Sequence, residues 1–69
     1  NISDNIIIMP NKGEVTIEGL KIADSILIYT INGKKVIDTK ASNDTMTFNL
    51  AEDNYIVRIN NKVYKTIVL

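Results

Sequence analysis

The side chains able to do covalent or acid–base chemistry are few in this chain, which has neither histidine nor cysteine. That removes the commonest general base, thiol nucleophiles and thiolate or imidazole metal ligation. Ser3, Ser25 and Ser42 stand in or beside turn sequences with no base to activate them, so they read as capping and turn hydroxyls. Glu52-Asp53-Asn54 and Asn43-Asp44 could offer oxygens to calcium, but neither group has the alternating ligand spacing of a dedicated loop. The expectation is a protein that is not an enzyme, with no cofactor and no metal. Asn43-Asp44-Thr45 and Asn1-Ile2-Ser3 fit the N-glycosylation acceptor pattern, which matters only in a eukaryotic secretory host. Tyr29, Tyr55 and Tyr64, with one Phe and no Trp beside them, suit the rim of a core with wet hydroxyls better than a stacking platform. The C-terminal residues Lys62, Lys65, Thr66, Ile67, Val68 and Leu69 leave two readings open. They are an edge strand guarded by lysines, or an apolar tail that a receptor takes up by strand addition.

These residues must be positioned by strands. Thirteen Ile and five Val against four Leu and three Ala favour pleated structure, because β-branched side chains lose χ1 freedom in a helix. A chain of 69 residues is one domain with little room for a deep pocket, and without cysteine its apolar residues alone must hold it. Eight basic and eight acidic side chains cancel, and no basic run exceeds Lys34-Lys35, which argues against nucleic acid as a partner. The longest apolar run, Ile6-Ile7-Ile8-Met9, is far short of the ~20 residues of a membrane-spanning helix, so membrane insertion is not expected. The chain opens at Asn1 without Met and reads as the C-terminal piece of a longer protein, with residues 1–5 a linker end and 6–69 the domain.

Along the chain, residues 6–9 form a first strand stopped by Pro10, and Asn11-Lys12-Gly13 turns the chain. Residues 14–18 alternate with Val15 and Ile17 inward, and 20–24 form a loop with Leu20 or Ile22 tucked beneath the edge. A hairpin about Asn32-Gly33 follows, in one of two registers. A two-residue turn sets Ile28 opposite Ile37; a three-residue loop with Gly33 left-handed sets Ile28 opposite Val36 and Ile26 opposite Asp38. The second is preferred, because it lets the Thr30 hydroxyl bond the turn and Ile31 fold over the open end of the core. Residues 45–50 alternate with Met46, Phe48 and Leu50 inward, and 51–54 turn the chain. Residues 55–60 put Tyr55, Val57 and Ile59 in the core; Asn60-Asn61 then turns into a last strand over 62–69, pairing as the first hairpin does. Seven short strands with no convincing helix make an all-β, small antiparallel β-sandwich.

Four stretches, in order, resemble the type A C-terminal sorting domain of the type IX secretion system. Pro10-Asn11 through Gly13 to Val15-Thr16-Ile17 is similar to its Pro-Asn-Pro…Gly opening. Residues 26–36, with Tyr29, Asn32, Gly33 and Val36, resemble its hydrophobic-x-hydrophobic-Tyr-Asp-x-x-Gly-x-x-Val box. Tyr55-Ile56-Val57-Arg58-Ile59 resembles its Gly-x-Tyr-x-Val-x-Ile strand, and Lys65-Thr66-Ile67-Val68-Leu69 its basic, aliphatic end. Thr30, Lys12 and Asp53 depart from the family's Asp or Asn, second Pro and Gly. The resemblance implies an immunoglobulin-like sandwich behind an N-terminal cargo domain. Such a protein is exported through the periplasm to the cell surface or medium by outer-membrane secretion and sortase machinery, and the domain is then removed. Residues 62–69 would be what the machinery reads, with Tyr29, Asn32, Gly33, Val36 and Tyr55 maintaining the fold. The alternative is an accessory sandwich that binds carbohydrate or protein, or spaces an attached enzyme.

Overall fold

The computed structural model describes residues 5–69, so the Asn1-Ile2-Ser3 acceptor and all of the expected leader except Asn5 lie outside the described residues. Seven strands follow one another: β1 Ile7–Asn11, β2 Glu14–Glu18, β3 Ser25–Thr30, β4 Lys35–Lys40, β5 Thr45–Asn49, β6 Asp53–Ile59 and β7 Lys62–Val68. All pairings are antiparallel. They form two sheets, ordered β1-β2-β5 and β4-β3-β6-β7, giving a small immunoglobulin-like β-sandwich. Val15, Ile17, Ile26, Ile28, Val57 and Val68 are fully buried between the layers, with Leu20, Leu50, Tyr55 and Ile59 nearly so. Period-two alternation predicted the inward set of β2 and β6, and of the loop pair only Leu20 goes inside; Ile22 is exposed.

Backbone bonds close both ends of the sandwich. At one end the β2–β3 and β4–β5 crossings are zipped together by Leu20 N–H to Asp44 O, Ala23 N–H to Ala41 O and Ala41 N–H to Asp24 O. At the other, Gly13 donates to Leu69 O at 2.6 Å and accepts from Leu50 N–H at 3.1 Å. Gly19 lies beside the backbone of Asn5, where a Cβ would collide with the Asn5 carbonyl.

Three expectations are corrected by the pairing. Pro10 does not stop β1 but lies within it, opposite Val15. The two-residue turn after Asn11 makes Asn11↔Glu14 a hydrogen-bonded pair, so alternation points the Pro10 nitrogen away from β2, where a missing N–H costs nothing. Residues 51–54 do not all turn the chain, since Asp53 and Asn54 already pair with Val68 and Ile67. Nor do the two long hairpins match: Ile59↔Lys62 closes a two-residue loop with Asn60 at φ 54°, and the register runs unbroken to Asp53↔Val68.

In the β3–β4 hairpin the three-residue loop is present. Gly33 N–H bonds Thr30 O at 2.9 Å, Thr30 N–H bonds Lys34 O, the Thr30 hydroxyl accepts from Lys34 N–H, and Gly33 has φ 90°. Beyond it the register differs from the one expected. Tyr29 pairs with Lys35 but Ile28 pairs with Ile37, so Val36 is an extra residue in a β-bulge. Without that bulge Asp38 would sit opposite Ile26 on the core face. The shift sets Asp38 opposite Leu27 on the wet face and lets Ile37 and Thr39 point inward.

Candidate functional site

The C-terminal strand divides cleanly by side. Thr66 and Val68 point into the sandwich, 8% and 0% exposed, while Val63, Ile67 and Leu69 stand 56–68% exposed. Lys62 and Lys65 are exposed too. Of the six residues expected to be read by a partner, Lys62, Lys65, Ile67 and Leu69 are therefore displayed, and Thr66 and Val68 hold the strand in place. β7 is also one of the two edges of its sheet, laddered to β6 on one side, with β1 lying alongside the other and bonded only from Gly13 N–H to Leu69 O.

The outer face of the four-stranded sheet continues this surface. Cross-strand rows set Tyr29 beside Ile56 and Ile56 beside Lys65, and Leu27 beside Arg58 and Arg58 beside Val63. Ile31, expected over the core, instead stands exposed at the hairpin tip. With Asn54, Ile56, Lys65 and Ile67 it lines an open groove of about 330 Å³. Tyr55 and Thr66 complete its lining, and the Asn54 amide and Lys65 ammonium beside Ile31, Ile56 and Ile67 suit an apolar side chain flanked by an acceptor. Lys35 is neutralised by Asp38 at 2.8 Å, whereas Lys65 has no ion pair among the described residues. Charge that cancels over the sequence is thus separated by the fold. The strands of the four-stranded sheet carry Lys35, Lys40, Arg58, Lys62 and Lys65 against Asp38 and Asp53; those of the other sheet carry Glu14 and Glu18 and no cation.

The fold-maintaining residues take distinct positions. Asn32 is a central residue of the hairpin turn, Gly33 supplies its left-handed step, Val36 forms the bulge, and Tyr29 lies on the outer face. Tyr55 is 5% exposed and its part-buried hydroxyl donates to Ala51 O at 2.6 Å. A tyrosine at the start of a strand bonding back to the preceding crossing is the tyrosine corner of immunoglobulin-like sandwiches. Burial pushes the phenol's pKa upward, with the Asp53 carboxylate adding to the effect. At the opposite end Asn60 was legible only as a turn residue. Its side chain accepts from Ser25 N–H at 3.0 Å and donates to Asp24 at 3.0 Å, tying the β6–β7 turn to the start of β3. Those hydrogen bonds, from Asn60 first and Lys21 N–H second, hold the Asp24 carboxyl below its usual pKa.

Asn43-Asp44 and Glu52-Asp53-Asn54 fall in or beside exposed crossings, and no three metal-capable side chains converge among the described residues. What sequence reasoning missed is the groove, whose members come from two strands, β6 and β7, and the β3–β4 loop. The signal available was the set of apolar residues at positions 31, 56 and 67, seen to converge only once strand order is known. Comparison of the chain with family models, curated proteins and solved structures yields no match.

Proposed function

We propose that the domain is a C-terminal sorting signal, which directs an attached N-terminal cargo across the outer membrane by the type IX secretion system and is then removed by a sortase. The ordered sequence boxes support this reading, and one structural observation carries it. β7 anchors itself in the core through Thr66 and Val68 while presenting Lys65, Ile67 and Leu69 outward, so the tail is folded and readable at once. The domain acts as a recognised substrate, with no chemistry of its own.

The test fuses residues 1–69 to a reporter in a host with this secretion route, with Ile67→Glu and Leu69→Glu as paired variants. Both side chains are exposed, so the variants fold, and reporter export falls at least several-fold. Export equal to that of the unaltered fusion overturns the reading. The groove at Ile31, Ile56 and Ile67 favours a second reading, an accessory binding module that stays on its protein. Mass spectrometry of the released reporter separates the two, since a sorting signal is lost from it and an accessory module is retained.

A further inference from the structure

We infer that the free edge of β7 binds an extended segment of a partner protein by backbone pairing, with an acidic side chain of that segment set opposite Lys65. This rests on the proposed role of β7 as the recognised strand and names how it is read. Ile59↔Lys62 closes a two-residue hairpin, so it is a hydrogen-bonded pair, and alternation assigns Tyr64, Thr66 and Val68 to β6 as well. The N–H and C=O groups of Val63, Lys65 and Ile67 therefore point out of the sheet. Two bonds agree with this parity: Asn60 N–H reaches Ser25 O on the β3 side of β6, and Leu69 O accepts from Gly13 across the β7 edge.

The other edges are shortened, bulged or interrupted by proline, whereas β7 is guarded only by Lys62 and Lys65 and by β1 alongside it. β4 carries a bulge at Val36 and the charges Lys35, Asp38 and Lys40; β1 carries Pro10; β5 is a five-residue strand of polar outward side chains. β7 runs seven residues without bulge or proline. An exposed, regular edge is a template for another strand. β1 lies alongside β7, from Ile6 near Lys62 and Tyr64 to Gly13 at Leu69, yet forms no ladder with it.

Charge decides the occupant. Lys65 is the central outward residue of the edge, flanked by Val63 and Ile67, and no carboxylate pairs with it among the described residues. An incoming strand of pattern apolar-x-acidic-x-apolar matches that row, and opposite charges directly across strands attract. A second copy fits poorly, because two β7 strands in full antiparallel overlap set Lys65 against Lys65.

The test is amide hydrogen exchange by NMR on the labelled chain, with the blocked peptide Thr-Val-Thr-Glu-Thr-Val-Thr in excess and its Lys-for-Glu counterpart as control. In the free protein Tyr64 and Thr66 are protected while Val63, Lys65 and Ile67 exchange freely. The Glu peptide slows those three amides by about tenfold, the protection expected of an edge occupied about nine-tenths of the time, and the Lys peptide slows them less. Unchanged exchange in excess peptide overturns the inference, and so does protection already present in the free protein, which would mean that β1 occupies the edge. Lys65→Pro removes one outward donor and Lys65→Ala only the charge; the proline variant loses peptide protection more completely, and equal loss overturns backbone pairing. A reporter exported normally with Lys65→Pro sinks the pairing while leaving the sorting role standing. Edge protection by the peptide without any export by the intact domain does the reverse.

Discussion

Tyr55 shows how much one atom contributes to this fold. Its hydroxyl ties the start of β6 to the β5–β6 crossing. Tyr55→Phe keeps the ring and leaves Ala51 O without its donor, lowering stability by about 1–2 kcal/mol in urea denaturation. The phenol's folded-state pKa lies above its unfolded value, so its contribution is complete below about pH 10 and is lost as pH rises through the folded value. The difference between wild type and Tyr55→Phe therefore shrinks in alkaline solution. The left-handed positions make a second pair of tests. At Gly33 a side chain meets no neighbour, so Gly33→Val is penalised by backbone conformation alone, by about 1–2 kcal/mol. Ala23 has φ 76° at the third residue of a turn closed by Asp24 N–H to Lys21 O, so Ala23→Gly stabilises by up to about 1 kcal/mol in the same assay. Gly33 was readable from its place after Asn32; Ala23 was not, because alanine carries no signal of a left-handed turn.

Among the elements, β4 best separates what local pattern encodes from what packing decides. Turn chemistry at Thr30 to Gly33 correctly specifies the loop, but the register two residues further on is set by the need to keep Asp38 out of the core. Val36 absorbs the mismatch. Thermal unfolding checks this directly: Thr39→Asp, pointing inward, destabilises by about 2 kcal/mol or more, whereas Asp38→Thr stays within about 0.5 kcal/mol. A reversed pattern would restore the unbulged register. β2 is legible throughout and β6 from Tyr55 onward, where the inward residues are apolar, but not at Asp53 and Asn54, whose side chains are polar and exposed; Pro10 masks the continuation of β1 because an edge strand tolerates proline on its free side.

For the whole molecule, the two-layer architecture followed from counting short strands, each with one apolar face that needs a partner. Charge separation did not follow, since cancellation over the sequence is blind to which sheet a residue joins. With cations gathered on the four-stranded sheet, association with an acidic partner there weakens as salt rises, whereas burial in the core is indifferent to it.

The parallel course of the first and last strands has a mechanical consequence. Asn5 and Leu69 lie at opposite ends of a body 35 Å long, with β1 and β7 running side by side in the same direction. A pull between those ends acts along the strands, loading the β1–β2 and β6–β7 ladders in shear so that several hydrogen bonds must yield together. If a cargo ahead of Asn5 is drawn through a channel while the tail is gripped, the domain resists as a clasp, holding until the whole ladder slips, where a hairpin pulled open from its ends would peel bond by bond.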